Sequence, residues 1–312
     1  MKKYVIKIFS FLTMLLFITA ATIGLTVFDF PAKIMTVATD TGDFYYDFWT
    51  QQSKGALDIV QNNTDKKTLI IGDSVANQIF SGIEKDNKEY YVATTNSGLL
   101  LLGQYIFAAE AVKNNPQLDK IILALRPFSF QEKIDVNYSY AFIAYPLYRD
   151  EYKKYFDEQA VQEFEKIFSP MAMTEAFQNV YGKSPIIKKM FLNCCKMADD
   201  KKNTNKSVEP VSDISVRYVL KLVQLCKENG VELSIIPCPM STEYSEKEMQ
   251  ELKIVFEEKG ILKYIPDYFE QIEYYSIDKF SDSTHFSDMD GMRKIILDDI
   301  KSKTGEFQNL VY

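Results

Sequence analysis

Thr68-Leu69-Ile70-Ile71-Gly72-Asp73-Ser74 is the stretch that decides how this chain folds. Residues 67–71 form a short, β-branched, almost continuously apolar run. Such a run suits a parallel strand covered on both faces, because a half-solvated strand would alternate in polarity. It ends abruptly at Gly72-Asp73-Ser74, and residues 75–83 then read as a helix. The pattern repeats outward from there. Residues 90–95 read as a second strand, 98–113 as a second helix closed by Asn114-Asn115-Pro116, and 120–125 as a third strand. Further on, a helix over about 214–228 ends at Glu228-Asn229-Gly230, a natural left-handed cap, and residues 231–236 follow as a fourth strand. A helix over 245–259 ends at Gly260, and residues 272–276 are expected to form a fifth strand. The last helix is expected from Ser287 to about Lys301, with Asp290 in the capping-box position.

Strand-helix alternation of this kind implies an α/β fold, with a mostly parallel sheet between helical layers and ligands beyond the carboxyl ends of the strands. Ser74, Asn96-Ser97-Gly98 and Arg126 each follow an expected strand, and Asp282-Ser283-Thr284-His285 follows the fifth. One rim of the sheet therefore collects every candidate polar group. His285 is the only histidine. A serine nucleophile needs one imidazole as proton shuttle and one carboxylate to orient it, so a single histidine suffices. Gly72 permits a tight turn, and a serine at a helix start lies near exposed N–H groups that can steady developing negative charge. The plainer readings are a strand-to-helix turn with Ser74 or Asp73 as N-cap, and a surface-loop histidine.

Between Pro127 and Val211 the alternation breaks. This insertion (127–212) is expected to be a helical cap beside the site. It carries an aromatic cluster of Tyr138, Tyr140, Phe142, Tyr145, Tyr148, Tyr152, Tyr155 and Phe156, suited to sugar faces or to a satellite core. Its polar, lysine-rich stretch 199–211 reads as a loop.

Upstream, Lys2, Lys3 and Lys7 precede an uncharged run over residues 8–28, closed by Asp29. Crossing a hydrocarbon core takes about 20 such residues, so residues 1–30 are expected to be an uncleaved anchor; cleavage near Ala20-Ala21 is the alternative. The lysines favour a cytoplasmic N-terminus and an extracytoplasmic domain over residues 67–312, reached through a stalk and leading helix at 31–66. The net charge of −7, without any lysine or arginine block, argues against a nucleic-acid partner. Cys194, Cys195, Cys226 and Cys238 show no CxxC spacing, Cys238 sits in an apolar run, and one histidine makes a poor zinc ligand set. No metal and no cofactor are expected.

Gly72-Asp73-Ser74 near the domain start, Asn96-Ser97-Gly98 after the second strand and Asp282-x-x-His285 near the end together resemble the SGNH (GDSL-like) hydrolases, over about residues 67–302. With the anchor, the chain looks most like the extracytoplasmic members found with cell-surface polysaccharide systems. The resemblance implies a three-layer α/β/α sandwich around a flavodoxin-like, five-stranded, mostly parallel sheet. It makes Ser74 the nucleophile, His285 the general base and then acid, and Asp282 the orienting carboxylate. It also assigns the backbone N–H groups of Ser74 and Gly98 to an oxyanion hole. The chain departs from that family after the third strand, where Leu125-Arg126-Pro127-Phe128 stands in place of a Gly-x-Asn-Asp block. Arg126 is open to three readings: a substitute donor, a holder of an anionic substrate group, or a salt bridge to the insertion. Asn96 either contributes its amide or shapes the turn before Gly98. The Gly-x-Ser-x-Gly elbow of α/β-hydrolases is absent, since Ala76 occupies the second glycine position.

The expected function is that of an anchored serine acyltransferase or esterase acting on O-acyl groups of a surface glycan. A transferase would have a polytopic acyl-transporting membrane protein as its natural partner. The alternatives are an inactive binding or assembly subunit of a polysaccharide system, and a lipase or lysophospholipase at the membrane face.

Overall fold

The computed structural model describes residues 2–26, 44–85, 87–200, 209–308 and 310. The strands form where the apolar runs lie: β1 (Thr68–Gly72), β2 (Tyr90–Val92), β3 (Lys120–Leu125) and β4 (Glu232–Pro237). They make one four-stranded sheet in the order β2-β1-β3-β4, and every pairing is parallel. Period-two alternation sends successive residues to opposite faces. Leu69, Ile71, Ile121, Leu123 and Ile235 enter one buried cluster, while Ile70, Val92, Ile122, Ala124 and Ile236 enter another. Both faces are thus covered, which is why β1, β2 and β3 lack polar positions in their centres.

On the first face lie α2 (Phe44–Asn62), α4 (Leu100–Asn114) and α8 (Asp213–Asn229), contributing among others Val60, Phe107 and Tyr218. The second is covered by the short helix α3 (Ser74–Phe80) and the C-terminal α10 (Met289–Thr304), through Val75, Ile79, Phe80, Ile296, Leu297 and Ile300. Gly230 takes the left-handed conformation expected at the end of α8. Helix α9 (Glu246–Glu258) opens with a full capping box between Ser245 and Glu248. The cap of α10 differs from expectation: Asp288 is the N-cap and its side chain accepts from Gly291 N–H.

The expected fifth strand forms within residues 272–276 but does not join the main sheet. Tyr274–Tyr275 (β6) pairs in parallel with Met240–Ser241 (β5) in a separate two-stranded sheet, so the main sheet has four strands and not five. Glu273 interrupts the expected run 272–276 and Tyr274 is 38% exposed, so this segment lacks the continuous apolar run of a doubly covered strand such as β1.

The insertion contains α5 (Glu158–Phe168), α6 (Glu175–Lys183) and α7 (Pro185–Asp200). Its aromatic residues are no satellite. Tyr140, Phe142, Tyr152 and Phe156 are buried in the same cluster as the first sheet face, with Tyr145, Tyr148 and Tyr155 packed against it. Tyr138 remains exposed, edge-on to Trp49 at 4.9 Å. The two ends of the insertion meet where Ser212 N–H donates to Phe130 O at 2.9 Å and Ser212 Oγ donates to Glu132 O at 2.7 Å. Most of the loop expected at 199–211, namely 201–208, lies outside the described residues, as do residues 31–43 of the stalk.

At the N-terminus, α1 spans Lys2–Thr26 and exposes Ile8, Phe9, Phe11, Leu15 and Phe17. Among the described residues no helix is long and apolar enough to cross a membrane. Residues 27 and 28 of the expected apolar run lie outside them. The four cysteines are free, with Cys194 exposed and Cys195, Cys226 and Cys238 buried.

Candidate active site

Ser74 stands directly beyond the carboxyl end of β1, as the first residue of α3. The turn that puts it there depends on Gly72. A Cβ built on Gly72 would lie 2.2 Å from Ala124 O, on the neighbouring strand, and 2.6 Å from Ala76 Cβ. Only glycine lets β1 and α3 approach β3 this closely.

Ser74 Oγ lies 2.9 Å from His285 Nε2, although the two residues are 211 apart in sequence. The other ring nitrogen, Nδ1, lies 2.9 Å from Asp282 Oδ2. Asp282 Oδ1 accepts two further bonds, from Thr284 N–H and His285 N–H, each at 2.7 Å. Burial pushes this carboxyl up, but the bonds from the imidazole and the two backbone amides outweigh it and hold it below the usual range. A carboxylate kept ionised beside Nδ1 fixes the tautomer with its proton on Nδ1, leaving Nε2 free to accept from Ser74. The side chains of His285 and Asp282 are 35% and 57% exposed, so the hydroxyl-imidazole pair opens to solvent on one side. Three of the sequence-predicted residues therefore meet in one chain of hydrogen bonds.

The remaining candidates have other employment. Gly98 N–H, expected to face an oxyanion, donates to Asn96 Oδ1 at 2.9 Å. Asn96 thereby shapes its own turn as the cap of the short helical turn Ser97–Leu99. The N–H groups of Val75 and Ala76, expected to be free at the start of α3, both donate to Asp73 Oδ1, at 3.0 and 3.2 Å. Ser74 N–H alone has no partner among the described residues. Among the described residues Arg126 forms no ion pair with the insertion's acids. Its Nη1 donates to Thr284 Oγ1 at 2.9 Å, and its Nε sits 3.6 Å from Asp73 Oδ2, an ion pair beyond hydrogen-bond reach.

Asp73 proves to be the junction of the site. Fully buried, it accepts Arg126 N–H at 2.9 Å and the Ser129 hydroxyl at 2.6 Å on Oδ2, besides capping α3 through Oδ1. It joins the end of β1, the end of β3 and the start of the insertion. Glu132, close to Ser97 and Arg126, is driven up in pKa by burial, against the pull of Ser97 and Arg126.

Sequence reasoning passed over Gln78, Thr284, Ser129 and Glu132. For Gln78 a signal existed: it stands four residues after Ser74, hence on the same face of a helix. Ser129 and Thr284 carried no such signal, because their partners depend on how the crossovers run. No family model, curated protein or solved structure compared with this chain matches it.

Proposed function

We propose that this protein is a membrane-anchored, extracytoplasmic serine acyltransferase or esterase of the SGNH type, acting on O-acyl groups of a cell-surface polysaccharide through Ser74, His285 and Asp282. The observation that carries this reading is the continuous Ser74–His285–Asp282 chain at 2.9 Å per link, assembled from opposite ends of the sequence. The strand order β2-β1-β3-β4 supports the flavodoxin-like, three-layer α/β/α part of the reading, since it is the first four places of the order 2-1-3-4-5. The exposed apolar side chains of α1 support the anchor.

The chemistry follows from the geometry. His285 Nε2 takes the proton of the Ser74 hydroxyl as Oγ attacks the carbonyl carbon of the acyl donor. The imidazolium is stabilised by Asp282. It returns the proton to the departing oxygen as the old ester bond breaks, leaving an acyl-serine. A sugar hydroxyl, or water, then gives its proton to Nε2 and takes the acyl group, restoring Ser74. Ser74 N–H is the oxyanion donor this chain offers. A polytopic acyl-transporting protein is the partner that would present a donor at the membrane.

A fluorophosphonate probe, with p-nitrophenyl acetate as a second substrate, tests this on the full chain in detergent. Labelling and an acetate burst are expected in the wild type and lost in both Ser74→Ala and His285→Ala. Equal signal in all three would overturn the reading. It would leave the binding-subunit alternative, which the engagement of Gly98 N–H by Asn96 favours.

A further inference from the structure

The chain reaching His285 has left the main sheet, since among the described residues β6 pairs only with β5. No strand ladder therefore holds the imidazole over β1, and something else must. Within itself the segment is well folded. Phe280 and Phe286 form an antiparallel bridge, Ser281 N–H donates to His285 O at 2.8 Å, and Asp282 caps the turn. Those bonds are all internal, so they fix the shape of the loop without fixing its position against Ser74. Among the described residues, and apart from the Ser74–His285 bond itself, the polar tethers to the sheet and α3 are two: Arg126 to Thr284 by a single bond, and Gln78 to Phe286 by a pair.

The Gln78 pair reads both backbone groups of one residue. Phe286 N–H donates to Gln78 Oε1 at 3.1 Å, and Gln78 Nε2 donates to Phe286 O at 3.3 Å. A side-chain amide thus does for Phe286 what a neighbouring strand would do. Gln78 follows Ser74 by one helical turn on the same face of α3, and Phe286 follows His285 directly. The same short helix consequently presents the hydroxyl and grips the residue next to the imidazole. Arg293 of α10 reinforces that helix by donating to Ser81 O at 3.1 Å and Gln78 O at 3.2 Å.

We propose that Gln78 is a positioning residue, whose amide clamps the Phe286 backbone and so holds His285 Nε2 in hydrogen-bond contact with Ser74 Oγ. Its bearing on reaction rate rests on the acyl-transfer reading above; the clamp itself is a statement about geometry. A misplacement of about 1 Å in a reacting pair costs on the order of 10²-fold in rate.

Because the chain has one histidine, its ring nitrogens give a single set of NMR signals. The test is the ¹⁵N shift of His285 Nε2 in the full chain in detergent micelles, labelled at histidine, for wild type, Ser74→Ala, Gln78→Met and Gln78→Met with Ser74→Ala. The expected result is that Ser74→Ala moves the Nε2 signal in the wild-type background and leaves it unmoved in the Gln78→Met background. An equal movement in both backgrounds, or none in the wild type, would overturn the proposal. Should Gln78→Met unfold, Gln78→Glu keeps an acceptor for Phe286 N–H while losing the donor to Phe286 O, and the same comparison is read there. Fluorophosphonate labelling separates the two readings. In Gln78→Met it should slow about ten- to a hundredfold. A wild type that never labels, yet shows the Gln78-dependent shift, sinks acyl transfer and leaves the clamp. A wild type that labels, with Gln78→Met as fast and its Ser74-dependent shift intact, sinks the clamp alone.

Discussion

Replacing Asp73 by alanine should damage the fold far more than replacing Asp282, although the two carboxylates lie in the same region and only Asp282 touches the imidazole. Asp73 is completely buried, and its two oxygens accept from Val75 N–H, Ala76 N–H, Arg126 N–H and the Ser129 hydroxyl. Loss of the Oδ1 contacts uncaps α3, a change typically worth about 1 kcal/mol. Loss of Oδ2 strands a buried hydroxyl, a buried amide and the Arg126 guanidinium. Removing one partner of a buried ion pair costs roughly 3–5 kcal/mol, and the lower end applies because Thr284 still holds Arg126 Nη1. The sum is about 4 kcal/mol, not a larger total over every bond, since all of them share one carboxylate. At roughly 2–4 °C per kcal/mol for a chain of this size, the thermal midpoint should fall by about 8–16 °C. Circular dichroism melts of full-length wild type, Asp73→Ala and Asp282→Ala measure this, with Asp282→Ala near the wild type because its side chain is 57% exposed. A drop under about 3 °C for Asp73→Ala would refute the claim that this carboxylate organises the ends of β1 and β3.

Three other outcomes follow from the same contacts. Gly72→Ala should destabilise by about 1–3 kcal/mol or more, as its Cβ would meet Ala124 O at 2.2 Å and neither backbone can yield without parting β1 from β3; an unchanged urea midpoint would contradict this. Glu132 has a folded pKa above its unfolded value of roughly 4.3, so it costs stability increasingly as pH rises through that window. Glu132→Gln should accordingly melt higher than the wild type at pH 7 and the difference should shrink towards pH 4, whereas a variant less stable at pH 7 would show that the contacts with Ser97 and Arg126 outweigh the burial. Asp282→Asn should leave the melt in place while slowing Ser74 labelling by on the order of 10⁴, because an amide no longer selects the tautomer with its proton on Nδ1; labelling within tenfold of the wild type would remove Asp282 from the proposed mechanism.

What the sequence revealed, it revealed through local chemistry. Residues 67–71 could be read as a doubly covered strand because their apolar run is almost continuous, 120–125 could be read as a strand, and both pair in the parallel sheet. Gly230 and Gly260 could be read as helix punctuation because helix ends are set by a residue and its immediate neighbours, and both take the left-handed conformation. The meeting of Ser74 with His285 was legible for a different reason: a parallel sheet gathers the residues that follow its strands on one rim. What was not legible depends on partners chosen by the fold. Residues 272–276 look like a strand and partly are one, but nothing local states that Met240–Ser241, and not β4, will be the neighbour. Asp73 was readable as an N-cap, yet its second oxygen belongs to Arg126 and Ser129, brought to it by the β1–β3 pairing and the start of the insertion. Gly98 was assigned to an oxyanion because the motif places it there, whereas the side chain two residues before it had a shorter route to its N–H.

The absence of a fifth strand changes how the site should respond to perturbation. A base fixed by a strand ladder would loosen only with the sheet, so reactivity and global stability would fall together. Here the His285 segment is a self-contained turn, tied to the rest by the Gln78 and Arg126 side chains, by the Ser74 contact and by the burial of Phe280 and Phe286 in the cluster on the second sheet face. Breaking two or three such contacts costs less than opening the doubly buried sheet beneath, which makes detachment of the loop a sub-global event. The two functions are consequently divided between two residues of one short segment: Asp73 secures the rim to the sheet, and Gln78 secures the imidazole to the rim. Substitution at the first should move the melt, and at the second the Ser74–His285 contact.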